Sequence, residues 1–218
     1  MKYKLADDIA VLHFDDGKVN AVGHDFIDAM NEGLDRAEAE AKAVVIRGRE
    51  GLFSGGFDLS EFKKGPEAAL ALAGRGLHLL TRIYGHPQPV VAACTGHAIA
   101  MGAFILLASD TRIGIEGDFR TTLPETAIGM NFHPVLFELV ASRLSKRHET
   151  RALIQANIYD PAGAIAAGFL DEIVIDEALD ARVMSAAQQL AQLPTEVYGK
   201  NKRDCRAASL QRMQDSLE

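Results

Sequence analysis

The chain has 218 residues, 48% of them hydrophobic and 24% charged, a globular composition sufficient for one domain with a sizeable core and too short for two of ordinary size. Its 23 Lys and Arg against 30 Asp and Glu leave a net charge of −7, which excludes a broad basic surface for nucleic acid or anionic lipid. Cys94 in an apolar run and Cys205 in a polar tail make no disulfide framework, and with no apolar leader after Met1 and no run long enough to cross a bilayer the expectation is a cytoplasmic protein.

Ile9 to Phe14 reads as a strand, followed by the turn residues Asp15-Asp16-Gly17. From Phe26 the apolar positions Ile27, Met30, Leu34, Ala37 and Ala41 recur on one helical face. Ala43 to Arg47 is a buried strand closed by Gly48. Leu52 to Leu59 passes from strand to loop through adjacent glycines, and Ser60-Glu61 opens a helix. Residues 67–84 form an amphipathic helix stopped by Gly85 and Pro87-Gln88-Pro89, and Val90 to Cys94 is another strand. Gly96 to Ala108 reads as a turn running into an apolar helix, and Asp110 to Ile115 returns as a strand. Helices follow over Pro134–Leu144, from Arg151 and over 162–167, the last ended by Gly168. Glu172 to Ile175 is a short strand, and Leu179, Val183, Ala186 and Leu190 line a helix stopped by Pro194. The polar last 20 or so residues are helical or frayed. This alternation predicts an α/β fold with crossover connections.

Two segments carry candidate chemistry. Successive glycines after a strand, Gly55-Gly56, let backbone N–H groups turn toward a ligand, although Gly-Gly pairs also mark plain turns. Gly96-His97-Ala98-Ile99-Ala100-Met101-Gly102-Ala103 opens directly into an apolar helix, whose start presents free N–H groups to a developing negative charge; tight helix packing would explain the same small residues.

Taken together, Phe53-Ser54-Gly55-Gly56-Phe57-Asp58-Leu59, the run Pro89 to Ala103, and Leu107-Ala108-Ser109-Asp110-Thr111-Arg112-Ile113 resemble the crotonase (enoyl-CoA hydratase/isomerase) superfamily. Lys18-Val19-Asn20-Ala21 and Gly168 to Val174 extend the resemblance over about three quarters of the chain. It implies a crotonase-like superhelix of repeated β-β-α units, with an acyl-CoA-binding core over 1–175 and a short C-terminal helical segment over 176–218. The implied ligand is an acyl-CoA thioester, with coenzyme A as part of the substrate and no separate cofactor or metal. The implied oxyanion donors are the backbone N–H groups of Phe57 and Met101, supported by Gly55, Gly56 and Gly102, and the matching acid–base residue is Glu125. Asp58 is expected to fix the oxyanion loop, Asn20 and Ala21 to lie near the adenine, Lys18, Lys63 and Lys64 to stand near the phosphates, and Phe104 and His133 to approach the acyl end.

Two departures qualify the resemblance. Hydratases of the family carry a second glutamate two residues after the helix-start glycine, where this chain has Phe104. Water addition uses two carboxylates and proton shuttling one, so the expectation is Δ3-Δ2-enoyl-CoA isomerisation. A hydratase or thioester hydrolase and a non-catalytic acyl-CoA-binding protein are the alternatives. The chain also ends at Glu218, earlier than the resemblance implies, which leads to the expectation of a more open pocket, with a homotrimer or dimer of trimers as the implied assembly.

Overall fold

The computed structural model describes residues 1–218. Its main sheet has six strands in the order β1-β2-β4-β7-β9-β11: β1 (Lys2–Ala6), β2 (Ile9–His13), β4 (Ala43–Arg47), β7 (Val90–Cys94), β9 (Thr111–Ile115) and β11 (Glu172–Val174). All neighbours are parallel except β1 and β2. That pair is a hairpin turned by Asp7-Asp8, both at positive φ (51° and 62°), the conformation a two-residue hairpin loop demands. The mostly exposed β1 was not expected from the sequence, because it lacks an apolar alternation.

The remaining strands are short and stand apart from the main sheet. β5 (Gly51–Ser54), β8 (Gly96–Ile99) and β10 (Thr121–Thr122) form a parallel sheet in the order β10-β8-β5, and β3 (Ala21–Val22) pairs with β6 (Gly56–Phe57). Gly96 to Ile99 is therefore a strand, where the sequence reading has a turn. Its small residues fit: a Cβ on Gly96 would fall 2.1 Å from the Gly51 carbonyl carbon.

Helices complete the repeat. A main-sheet strand, a short strand and a helix recur three times: β4, β5 and α3 (Pro66–Gly85); β7, β8 and α4 (Met101–Ala108); β9, β10 and α5 (Pro134–Arg143). α1 (His24–Glu40) follows β2 and β3 in the same manner, and the four-residue α2 (Leu59–Phe62) precedes α3. The fold is thus the expected α/β succession of β-β-α units. Right-handed crossovers are the usual outcome when parallel neighbours are joined through a helix.

The inner strands β2, β4, β7 and β9 bury residues on both faces, as strands inside parallel sheets do. Ala10, Leu12, Val44, Ile46, Val90, Ala92 and Cys94 enter a large core with α1, α3, α4 and α5. The alternate residues Ile9, Val45, Val91, Ala93 and Ile113 meet Leu179, Val183, Ala186 and Ala187 of α8 (Asp176–Ala191) on the other face. Between α5 and α8 lie α6 (Lys146–Glu149), a π-helical turn Thr150–Ile154 and α7 (Pro161–Ala167). The last helix, α9 (Thr195–Asp215), packs on α3 and α5. The polar tail is therefore a helix.

A buried ionic knot fastens α9. Asp110 accepts from the Val90 N–H (2.8 Å) and Lys202 Nζ (2.6 Å), and pairs with Arg206 (2.8 Å). Lys202 also donates to the Gln88 carbonyl (3.2 Å) and Arg206 to the Tyr84 carbonyl (2.6 Å), while Arg143 bonds the carbonyls of Leu107 and Ser109 at the end of α4. Burial alone would raise the Asp110 pKa; Lys202 and Arg206 outweigh it and hold the carboxyl below the usual range. Arg112, in the same motif as Asp110, joins β9 to Asp171 beside β11. No helix is long and apolar enough to cross a membrane.

Candidate active site

The loop between β5 and β6 is braced from behind. Asn20, buried and at φ 49°, donates its amide to the carbonyls of Phe14, Leu52 and Phe53 at 3.2–3.3 Å. Its own carbonyl accepts from Ser54 Oγ (2.8 Å), which in turn accepts from the Gly56 N–H (3.2 Å). Asp16 holds the backbone N–H groups of Lys18, Asn20 and Ala21, and Gly55 N–H reaches the Val19 carbonyl (2.8 Å). On the far side Asp58 caps α2 by accepting from Ser60 N–H (2.8 Å), and its own N–H donates to the Val22 carbonyl (3.1 Å). The residues around the glycine pair are thus pinned on both sides.

This loop meets the start of α4 through missing side chains. Ala100, between β8 and α4, has φ 50° and ψ −120°, a conformation that favours glycine. A Cβ on Gly56 would lie 3.0 Å from Ala100 Cβ, 3.1 Å from the Ile99 carbonyl oxygen and 3.6 Å from Met101 N. A Cβ on Gly102 would lie 2.6 Å from the Ser54 carbonyl oxygen. Two backbones therefore approach closely where the family resemblance implies an oxyanion site. The Phe57 ring packs over Gly76 of α3, where an added Cβ would come within 2.5 Å of it, and against Phe62 (5.7 Å between centroids).

The third segment arrives through β10. Its Thr122 pairs with Ile99 and accepts from the Ala100 N–H (3.0 Å), so Leu123-Pro124-Glu125 continues alongside the β8–α4 turn. A 3-10 turn, Thr126–Ile128, follows Glu125 and closes at Gly129 with φ 76°; Thr126 Oγ anchors it to the Leu153 carbonyl of the π-helical turn (2.6 Å). Glu125 is 8% exposed, and its Oε2 has no hydrogen-bond partner. Burial pushes its carboxyl up to about 7. It lines a cavity of about 320 Å³ together with Gly55, Phe57, Ile99 and Ala100, and with the apolar Leu59, Phe62, Leu77 and Leu136. A carboxylate in apolar surroundings, beside two approaching backbone segments, can take up and return a proton near neutral pH.

The other expected residues fall in different places. His133 caps α5 through Nδ1, accepting from Val135 N–H (3.4 Å), and lines the same cavity with Met130 and Asn131. Phe104 is buried behind the wall, edge-on to Phe132 at 6.2 Å, so no second carboxylate reaches the cavity. Met101 and Gly102 are buried at the start of α4 and, like Gly56, are not among the residues that line the cavity. Lys18, Asn20 and Ala21 lie outside the cavity: the Lys18 side chain is exposed and its carbonyl is held by Arg49, while Asn20 and Ala21 border a separate cleft of about 360 Å³. That cleft carries Asp15, Asp16, Asp25, Asp58 and Glu61, an unfavourable surrounding for phosphates. Lys63 and Lys64 are exposed, and Lys64 pairs with Glu61 (2.6 Å). His97 is committed to the Arg120 N–H (3.0 Å). Sequence reasoning missed the walls Leu59, Phe62, Ala73 and Leu77; for the last two the i, i+4 spacing on α3 was the available signal.

The chain is similar throughout to proteins of known kind. A structure of an enoyl-CoA hydratase/isomerase family protein from Pseudomonas syringae superposes with a TM-score of 0.96 at 40% identity, covering 99% of this chain and 94% of that one. The apo structure of the Mycobacterium tuberculosis enoyl-CoA isomerase superposes at 0.94 with 36% identity, covering 99% and 95%. A Bacillus subtilis protein named "Probable enoyl-CoA hydratase" is 34% identical over 126 residues, 56% of this chain and about half (48%) of that protein's length. The sequence model of the enoyl-CoA hydratase/isomerase family matches residues 4–218, so the chain belongs to that family.

Proposed function

We propose that the protein isomerises 3-enoyl-CoA thioesters to 2-enoyl-CoA thioesters, with Glu125 as the single acid–base residue. The observation that carries this reading is the Glu125 carboxyl itself: buried, unpartnered at Oε2, pushed to about 7, and without a second carboxylate in its cavity because Phe104 stands in the core.

The chemistry follows from those surroundings. C2 of a 3-enoyl thioester is both α to the carbonyl and allylic, so Glu125 removes a C2 proton and the electron pair spreads onto the thioester oxygen. The backbone N–H groups of Phe57 and Met101 receive that oxygen, and a preformed pair of donors helps most when the charge is fully developed; one such donor contributes about 3–4 kcal/mol. Glu125 now holds the proton and returns it to C4, which moves the double bond into conjugation. A carboxyl near 7 suits both halves, being basic enough to accept and acidic enough to give back. Water addition in this family would call for a second carboxylate to hold and activate water, and Glu125 is the one carboxylate among the residues that line the cavity.

The test is to incubate the protein with 3-hexenoyl-CoA in deuterated buffer and follow products by NMR and mass spectrometry. The expected product is 2-hexenoyl-CoA with deuterium exchange at C2 or C4, and Glu125→Gln should slow its formation by about 1,000-fold. Accumulation of 3-hydroxyhexanoyl-CoA, or undiminished turnover in the glutamine variant, would overturn the proposal.

A further inference from the structure

We infer that a cleft between α1, α3 and α9, apart from the Glu125 cavity, is a second binding site that takes a small molecule through a primary ammonium group. The cleft has a volume of about 660 Å³ and shares no lining residue with the Glu125 cavity. Among its lining residues is His86, 1% exposed, whose Nδ1 has no hydrogen-bond partner. Buried polar atoms are nearly always bonded, so an orphaned one facing a cleft points to a partner from outside the chain.

The hydrogen bonds around His86 fix what that partner must be. Gln88 gives its side-chain N–H groups to the Ala37 and Ala41 carbonyls (2.8 and 2.6 Å), so its Oε1 faces His86 Nε2 at 3.1 Å and accepts the ring's N–H. Burial pushes the imidazole down to about 4, so at pH 7 the ring is neutral and Nδ1 carries only a lone pair. Glu38 Oε1, also on the cleft wall, stands 3.5 Å from Nδ1, and a carboxylate is likewise an acceptor. Two acceptors therefore face each other with no hydrogen between them. An ammonium group, with three donors and no lone pair, serves both.

Charge favours the ammonium over a neutral donor. Asp35 and Glu38 share one cation, Arg82, which leaves a negative charge uncompensated beside His86. Glu38 lies in the last turn of α1, which holds no basic residue, and His86 directly follows the 20-residue α3. Both helix ends present the negative pole of the helix dipole. Arg203 and Glu218 also line the cleft, with opposite charges that offset each other.

The decisive experiment follows the ring nitrogens of the 15N-histidine-labelled chain by NMR at pH 7 while butylamine hydrochloride is added, with butyramide and sodium butyrate as comparison probes. In the free protein His86 Nδ1 should give the signal of an unprotonated ring nitrogen. Butylamine should move that signal to saturation at one molecule per chain, and butyramide and butyrate should leave it in place. Glu38→Gln should weaken butylamine binding by at least about tenfold, the loss expected when a charge-assisted bond becomes a neutral one. Glu177→Gln, exposed on α8, should leave the binding unchanged. A protonated Nδ1 in the free protein, an equal response to butyramide, a response that does not saturate, or unchanged binding in Glu38→Gln would overturn the inference. So would a signal that moves on raising the protein concentration alone, which would assign this face to a second copy of the chain.

Discussion

Two buried carboxylates show how differently one chain treats the same functional group. Asp110 sits among Lys202, Arg206 and Arg143, accepts a backbone N–H, and is held below the usual carboxyl range. Glu125 is equally withdrawn from solvent but meets no cation, leaves Oε2 unbonded and is pushed up to about 7. The first arrangement stabilises the charged form and ties α9 to the main sheet. The second penalises the charged form, which costs folding energy and leaves a proton-exchanging group poised near neutrality. The contrast separates a carboxylate that serves the architecture from one that, under the proposed function, serves a reaction.

The comparison can be broken first at Asp110. Asp110→Ala would leave Lys202 and Arg206 buried without a counter-charge and should lower unfolding stability by about 3–5 kcal/mol in urea titrations at pH 7. A loss under about 1 kcal/mol would mean that the cations find water or other partners and that the knot does not hold α9.

The opposite sign is expected at Glu125. Its folded pKa of about 7 lies above the ordinary glutamate value of 4.5, so between those values the folded state holds a proton that the unfolded chain has released. Stability should therefore fall as pH rises through that window, and Glu125→Gln, which cannot ionise, should be more stable than the parent by about 2–3 kcal/mol at pH 8 with little difference at pH 4. Under the proposed function the same ionisation should govern activity: kcat/KM should climb with pH and level off above about 7, as the basic form fills. A profile already flat from pH 5 would refute the role of burial.

The smallest effect concerns the strained turn between the two backbones. Ala100→Gly relieves a φ of 50° and should stabilise the fold by about 1 kcal/mol, the relief exceeding the entropy glycine adds to the unfolded chain. No gain would indicate that Ala100 Cβ contributes packing against Gly56 equal to the strain.

Much of the architecture was legible because its signals are local. Periodic apolar faces and Gly or Pro stops marked α1, α3, α5 and α8, and β-branched runs marked β4, β7 and β9. β1 escaped because most of its residues face solvent, and β8 because Gly96-His97-Ala98-Ile99 has only Ile99 as a strand former and is held by pairing with β5 and β10. The site was legible only in pieces. The glycine pair and the helix start announce themselves through residue type, whereas Glu125 was singled out by resemblance alone, since its burial depends on β10 pairing with β8. Nothing in the chain's linear order brings Leu59 near Ile128 or Lys202 near Asp110, 92 residues away. Lys18 was placed by its charge at a phosphate site; Asp15 and Asp16 are its neighbours in the sequence, and Asp25, Asp58 and Glu61 join them only once the chain folds.

The interlock of Gly56 with Ala100 and Met101 has a consequence for diversifying the protein by mutation. There an added Cβ meets backbone oxygens and the Cβ atoms of Ala100 or Ser54 at 2.6–3.1 Å, so a random library should be nearly empty of survivors at Gly56 and Gly102. The surrounding walls belong to side chains on α2, α3 and the 126–131 turn, each reaching the cavity from a separate segment, and should tolerate wide exchange. Selection acting on this chain can thus reshape what is admitted while the feature that would polarise a carbonyl stays out of reach of side-chain substitution.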